Sequence, residues 1–194
     1  MMLGSHISVI PAPASLAKRG EKAGIKGGIL DQVENDRIDV VLAGENSEIE
    51  VVGLLLAKGE SQTAFEVYIT HLGKNTKSKV NVRAVLRGRS TFAFRGNVKI
   101  EKGAKGADAY LRSDALLFDD AKMGDDTPAL EILERDVKAG HAATIGKVDE
   151  IMLFYLMSRG MTKKAAEKML IEGFVKPMMN QIRSTKHEIR NKYK

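Results

Sequence analysis

Between Ile38 and Gly146 the apolar residues come in short runs: IDVVLA, IEVVGLLLA, TAFEVYITHL, KVNVRAVL, STFAF, VKI, DALLF and ALEI. Each run is bounded by Gly, Asn, Asp, Ser or Lys. Several runs alternate with period two. Phe65, Val67 and Ile69 share one side of theirs, and Val80, Val82 and Ala84 share one side of the next. That is the pattern of strands with one buried and one wet face. Gly44, Gly53, Gly59, Gly73, Gly88, Gly96, Gly103 and Gly106 read as the punctuation between strands. No Asn-Gly or Asp-Gly pair is present, so tight antiparallel hairpins have little local support. Segments beginning near Val40, Ala64, Arg87 and Tyr110 lie 23 or 24 residues apart, each holding two or three short strands. A near-constant coil predicts a solenoid of stacked turns, with an ordinary sheet sandwich as the alternative.

After Gly146 the period changes to that of helices. DEIMLFYLMSRG and TKKAAEKMLIEGFVK predict two of them. Asp149 is placed to cap the first, and Gly160 suits the left-handed residue that ends it. Thr162 caps the second and Pro177 is expected to stop it. The short linker makes the pair an antiparallel hairpin. Ile151 through Met157 are apolar nearly all round, which predicts burial on more than one side. Ala165, Ala166, Met169, Leu170 and Phe174 give the second helix an apolar stripe. The final stretch, MMNQIRSTKHEIRNKYK, reads as a basic helix. Residues 1–36, with Pro11, Pro13 and several glycines, read as a loosely structured arm carrying one short helix near Ile29–Val33. The expected division is therefore an arm (1–36), a β core (37–146) and a helical region (147–194).

Composition narrows the chemistry. The 194 residues suffice for one compact domain or one domain with an appendage. Cysteine is absent, so there is no disulfide framework, thiolate metal site or cysteine nucleophile. Tryptophan is absent and aromatics are 5%, which argues against stacking platforms for bases or sugars. The net charge of +6 suits an acidic partner without specifying one, and the basic tail reads as a solvated helix rather than an RNA or lipid contact. The first twenty residues lack a basic segment before their apolar patch, and no run nears the roughly 18 apolar residues of a membrane helix. The expected location is the cytoplasm. GKNTKS is not a phosphate loop, because Tyr68 stands where its first glycine is needed and Asn75 where its Ser or Thr is needed. Asp119, Asp120, Asp125 and Asp126 read as a solvated loop, not a cation site. His71, at the end of an alternating strand, is expected to make a turn hydrogen bond. Asn75, Thr76 and Ser78 are read as turn residues that satisfy backbone groups. No hydrolase or metalloprotease motif is present, so an enzyme is not expected.

Six blocks in order resemble a known family, the SufB/SufD scaffold subunits of the SUF iron–sulfur cluster assembly machinery. They are His71-Leu72-Gly73-Lys74-Asn75-Thr76-Lys77-Ser78, Phe94-Arg95-Gly96-Asn97-Val98-Lys99-Ile100, Ser113-Asp114-Ala115-Leu116-Leu117, Pro128-Ala129-Leu130-Glu131-Ile132, Asp136 to Gly146, and Phe154-Tyr155 with Ser158-Arg159-Gly160. The resemblance implies a right-handed parallel β-helix followed by a helical C-terminal region. It implies a non-enzymatic scaffold whose helices dock a SufC-like ATPase, with Phe154, Tyr155, Met157, Arg159, Met169 and Phe174 as the partner-binding candidates. It also implies a second scaffold subunit, either another copy or a cysteine-bearing SufB/SufD-type partner.

The departures are chemical. Ser113 occupies the family's cysteine position, Ala142 that of its glutamate, and Ala139 that of a second cysteine, while His141 remains. A serine hydroxyl is a poor soft ligand, so any transient cluster would be shared with a partner that brings the sulfur ligands. His141 is the candidate iron or cluster ligand, weighed against a strand-end histidine bonded to backbone. Family members also carry a longer region ahead of the part that resembles Asp39 onward. Two other readings stand beside this one. One is a β-helix structural or regulatory module without cluster chemistry. The other is a carbohydrate-active β-helix enzyme, which the scarcity of aromatics disfavours.

Overall fold

The computed structural model describes the backbone of residues 6–11, 29–30 and 35–192 and the side chains of residues 37–182. Its strands are β1 (His6–Pro11), β2 (Ile29–Leu30), β3 (Asn35–Leu42), β4 (Glu48–Ala57), β5 (Gln62–His71), β6 (Lys77–Leu86), β7 (Thr91–Ile100), β8 (Asp108–Leu117), β9 (Lys122–Ile132) and β10 (Lys138–Lys147). Two helices follow, α1 (Glu150–Ser158) and α2 (Lys163–Lys192). One sheet has the order β10-β8-β6-β4-β1-β2 and the other β3-β5-β7-β9. Every pairing among β3 to β10 is parallel. The chain thus crosses from one sheet to the other at each corner, and eight strands make four turns of a parallel β-solenoid.

The coil is longer than the sequence spacing suggests. Glu48 lies beside Lys77, Lys77 beside Asp108, and Asp108 beside Lys138. One turn therefore takes about thirty residues and holds two strands of eight to eleven residues, not two or three shorter ones. The cause is visible at Gly53 and Gly96. Both lie inside strands, in β4 and β7, with inward positions in the ladder, and neither marks a turn. A Cβ on Gly96 would come 2.3 Å from Leu111 Cδ1 across the interior, so only hydrogen fits there.

The corners stack like the strands. Left-handed residues recur on successive turns at Asn46, Asn75 and Gly106 on one side and at Gly59, Gly88 and Asp119 on the other. Backbone bonds tie each corner to the next, from Asn46 N–H to the Lys74 carbonyl, Asn75 N–H to Lys105, and Gly106 N–H to Asp136.

In-register parallel strands put like positions in columns. Val40, Ile69 and Val98 form one buried column, and Val51, Val80 and Leu111 form another. Many outward positions are charged and pair between turns, as in Arg37–Glu66, Arg95–Glu66 and Lys77–Glu48. β4 departs from this. Its outward Val52, Leu54 and Leu56 are apolar, and α2 lies across them with Met178, Ile182, Val175 and Met179.

Three local expectations are corrected. Ile29–Leu30 form a strand, not a helix, β1 is an antiparallel neighbour of β4, and β3 begins at Asn35; the remainder of the arm lies outside the described residues. Pro177 does not end the second helix, which runs through it to Lys192. Only Leu153 of α1 is buried, while Ile151, Met152, Phe154, Tyr155 and Met157 are exposed. The caps are as expected. Asp149 accepts from the N–H groups of Ile151 and Met152, Gly160 has φ +90°, and Thr162 Oγ1 accepts from Ala165 N–H.

Candidate functional site: the open end of the solenoid and the first helix

The interior columns are mostly apolar through three turns, with His71, Ser78 and Ser113 as buried polar members, and take on His141 and Asp126 on the fourth. Val51, Val80 and Leu111 are followed by His141. Phe65 and Phe94, whose rings lie 6.0 Å apart, are followed by Asp126. Val82 and Ser113 are followed by Ala143. β9 and β10 are the last strands of their sheets, so no further turn covers these residues. His141 is exposed, as are Ile132, Leu133 and Ile145. It sits inside β10 rather than at its end, and its register with Leu111 turns it toward the mouth of the solenoid. Its neighbour Ala142 faces outward with Arg112.

Ser113 is buried one turn below, and its hydroxyl lies 2.8 and 2.9 Å from the two carboxylate oxygens of Asp126 on the opposite sheet. Desolvation holds the Asp126 carboxyl above its ordinary range, while the Ser113 bond pulls the other way. A bulge between Phe92 and Phe94 in the β7–β9 pairing shifts the register so that Asp126, not Asp125, falls in the inward column. Asp125 instead faces outward and pairs with Arg95, and Asp119 accepts from Gly88 N–H. The run of four aspartates is therefore divided among separate places. Sequence reasoning missed Asp126, and nothing in the run Asp125-Asp126 distinguishes the two.

Among the described residues no three His, Asp or Glu side chains converge as a metal site. Ser113, Asp126 and His141 offer hard oxygen and nitrogen donors and no sulfur.

His71 is not in this group. It is fully buried lower in the interior, with Nδ1 2.8 Å from Thr76 Oγ1 and Nε2 2.8 Å from Ser78 Oγ. Thr76 spends its own proton on the Gly73 carbonyl, so it must accept from His71. Nδ1 therefore carries the hydrogen, and Ser78 donates to Nε2. Burial lowers the His71 pKa to about 4. Thr76 satisfies a backbone carbonyl as expected, whereas Ser78 serves the histidine.

Asp114, beside Ser113 but facing out, is buried between Arg112 and Arg83. Arg83 also donates to the Phe174 carbonyl of α2 and lies over the Phe174 ring at 5.1 Å. Phe174 is thus half-buried against the solenoid rather than free. The other partner-binding candidates are exposed. Phe154 is 72% accessible, Tyr155 51%, Met169 50% and Met157 41%, with Arg159 stacked over Tyr155 at 5.3 Å.

The chain is thus a four-turn parallel solenoid whose last turn is uncovered, with an apolar helix exposed beside it. Residues 11–174 match the family model described as SUF system FeS cluster assembly, SufBD core domain. The chain is 37% identical over 158 residues to an iron–sulfur cluster assembly SufBD family protein of Mycobacterium tuberculosis, covering 81% of this chain and 19% of that protein. It is 38% identical over 141 residues to the iron–sulfur cluster assembly protein SufD of Bacillus subtilis, covering 73% of this chain and 32% of that one. With SufB of the same organism the identity is 33% over 143 residues. The chain belongs to the SufBD family of the SUF system. It spans about a fifth of the mycobacterial relatives and about a third of the Bacillus SufD. Among the described residues no helix is long and apolar enough to cross a membrane.

Proposed function

We propose that this chain is a cytoplasmic scaffold or accessory subunit for iron–sulfur cluster assembly, non-enzymatic itself, that docks a SufC-like ABC ATPase through α1. The observation that carries this reading is the exposure of Ile151 (79%) and Phe154 (72%) on a capped, ordered helix. An apolar surface of that kind is expensive to leave in water and suits a partner groove. Met152, Met157 and Met169 add adaptable contacts. The open turn formed by β9 and β10 supports a second contact, with another copy or a cysteine-bearing SufB/SufD-type subunit. Free strand edges beside Ile132, Leu133 and Ile145 invite pairing. Such a joint would bring His141 next to the partner's sulfur ligands, and the cluster would be transient cargo shared between subunits.

The absence of cysteine, with Ser113 already committed to Asp126, favours one other reading: a regulatory or structural module that binds the ATPase but no cluster. Two measurements separate the readings. Co-purification with a SufC-type ATPase should be lost with Tyr155→Asp; binding indifferent to that change removes the docking surface. Anaerobic reconstitution with iron and sulfide should give cluster absorbance only with a cysteine-bearing subunit present, and less of it with His141→Ala. Absorbance independent of this chain leaves the regulatory reading.

A further inference from the structure

We infer that α2 is a two-part lever, hinged at Gly173–Pro177 and latched to the solenoid by the Arg87–Glu167 ion pair. Pro177 lies inside a 30-residue helix. It has no N–H, so the Gly173 carbonyl has no intrahelical partner, and its ring crowds that carbonyl. Gly173 is a second weak point in the same turn. A Cβ there would meet nothing within 4 Å, so packing does not call for glycine, yet glycine costs a helix interior about 1 kcal/mol against alanine. The next carbonyl, of Phe174, is held from outside by Arg83.

The two sides of this turn are fastened differently. Beyond it, Met178 and Ile182 are buried on Val52 and Leu54, and Gln181 bonds Glu50 and Asn81. Before it, no residue from Lys163 to Gly173 joins that apolar cluster, and the one buried apolar side chain is Ala166. Glu167 is instead bonded to Arg87, which also lies over Phe118 at 5.0 Å, and Lys163 sits 4.0 Å from Glu167 on the same helix. An ion pair can be broken and remade by a competing partner, whereas apolar burial cannot be exchanged so cheaply. Release of Glu167 therefore frees the first half of α2 and carries α1 with it, while the second half stays on the sheet.

Hydrogen–deuterium exchange on the full chain tests this without any partner, so its outcome is independent of whether an ATPase binds α1. Glu167→Gln removes the latch charge and keeps the Arg87–Phe118 contact. Exchange over 150–172 should rise roughly tenfold while 178–182 and β4 stay unchanged. Adding Gly173→Ala and Pro177→Ala should erase the step in protection at 173–177. No change with Glu167→Gln, an equal rise on both sides of Pro177, or a step that survives in the triple variant would each overturn the lever.

Discussion

The Ser113 hydroxyl and the Asp126 carboxylate face each other across the solenoid, 2.8 and 2.9 Å apart at the two oxygens, at the position where the family resemblance places a cysteine. This bond offsets part of the desolvation that raises the Asp126 pKa. Ser113→Ala should therefore raise it further, read by the carboxyl carbon shift across a pH titration, and cost about 1 kcal/mol in urea unfolding. An unchanged titration would mean that water already satisfies the carboxylate. Ser113→Cys should not yield a reactive thiol by itself. A neighbouring carboxylate disfavours the thiolate, so alkylation at pH 8 should be slow and should speed up when Asp126→Asn is added.

His71 couples folding to pH. Its pKa is about 4 in the fold against 6.5 when unfolded, so the unfolded chain takes up the proton first as pH falls. Its effect is nil above pH 6.5, and stability declines between pH 6.5 and 4 by about 3 kcal/mol in total. Denaturation midpoints of the native chain should drop through that window, and those of His71→Asn should drop less steeply. Parallel slopes would refute the assignment. Nitrogen NMR should also show the hydrogen on Nδ1, as the Thr76 bond to Gly73 requires.

Alternation in runs such as Phe65–Ile69 was enough to read strands, one buried face and, with the missing hairpin turns, a stacked coil. Coil length was not legible. Gly96 looks like punctuation but serves as clearance inside the solenoid, Gly53 lies within β4, and the corner between β3 and β4 takes its left-handed residue from Asn46 rather than from a glycine. Helix caps at Asp149, Gly160 and Thr162 were legible because they are local. Pro177 misled because tertiary packing of Met178 and Ile182 carries the helix past it. The apolar α1 looked buried because composition states what a surface prefers and not whether the same chain supplies the cover. The Ser113–Asp126 bond was invisible because it depends on a bulge that shifts β9 by one position.

Gly73 shows how tightly the corners stack. A Cβ there would come 2.4 Å from the Gly44 carbonyl oxygen, and backbone cannot yield as a side-chain tip can. Gly73→Ala should lower stability by about 1–3 kcal/mol. Gly146, in the last turn, has nothing within 4 Å of its Cβ position, and Gly146→Ala should stay within about 0.5 kcal/mol of the native chain. Urea midpoints of the two variants give the comparison, and equal effects would contradict close stacking at the first corner.

α1 separates folding from binding at adjacent positions. Leu153 is 9% accessible and Phe154 72%. Leu153→Asp buries a charge and should detach the helix, lowering the melting temperature and α-helical circular dichroism together. Phe154→Asp places its charge in water and should leave both unchanged. If Phe154 anchors an ATPase partner, the same substitution should weaken that complex by about thirtyfold or more, the loss expected for an aromatic at the centre of an interface. The diagnostic pairing is a stable Phe154→Asp protein that no longer binds. A variant that binds as before removes Phe154 from the contact, and one that melts shows that α1 is held by more of its surface than Leu153.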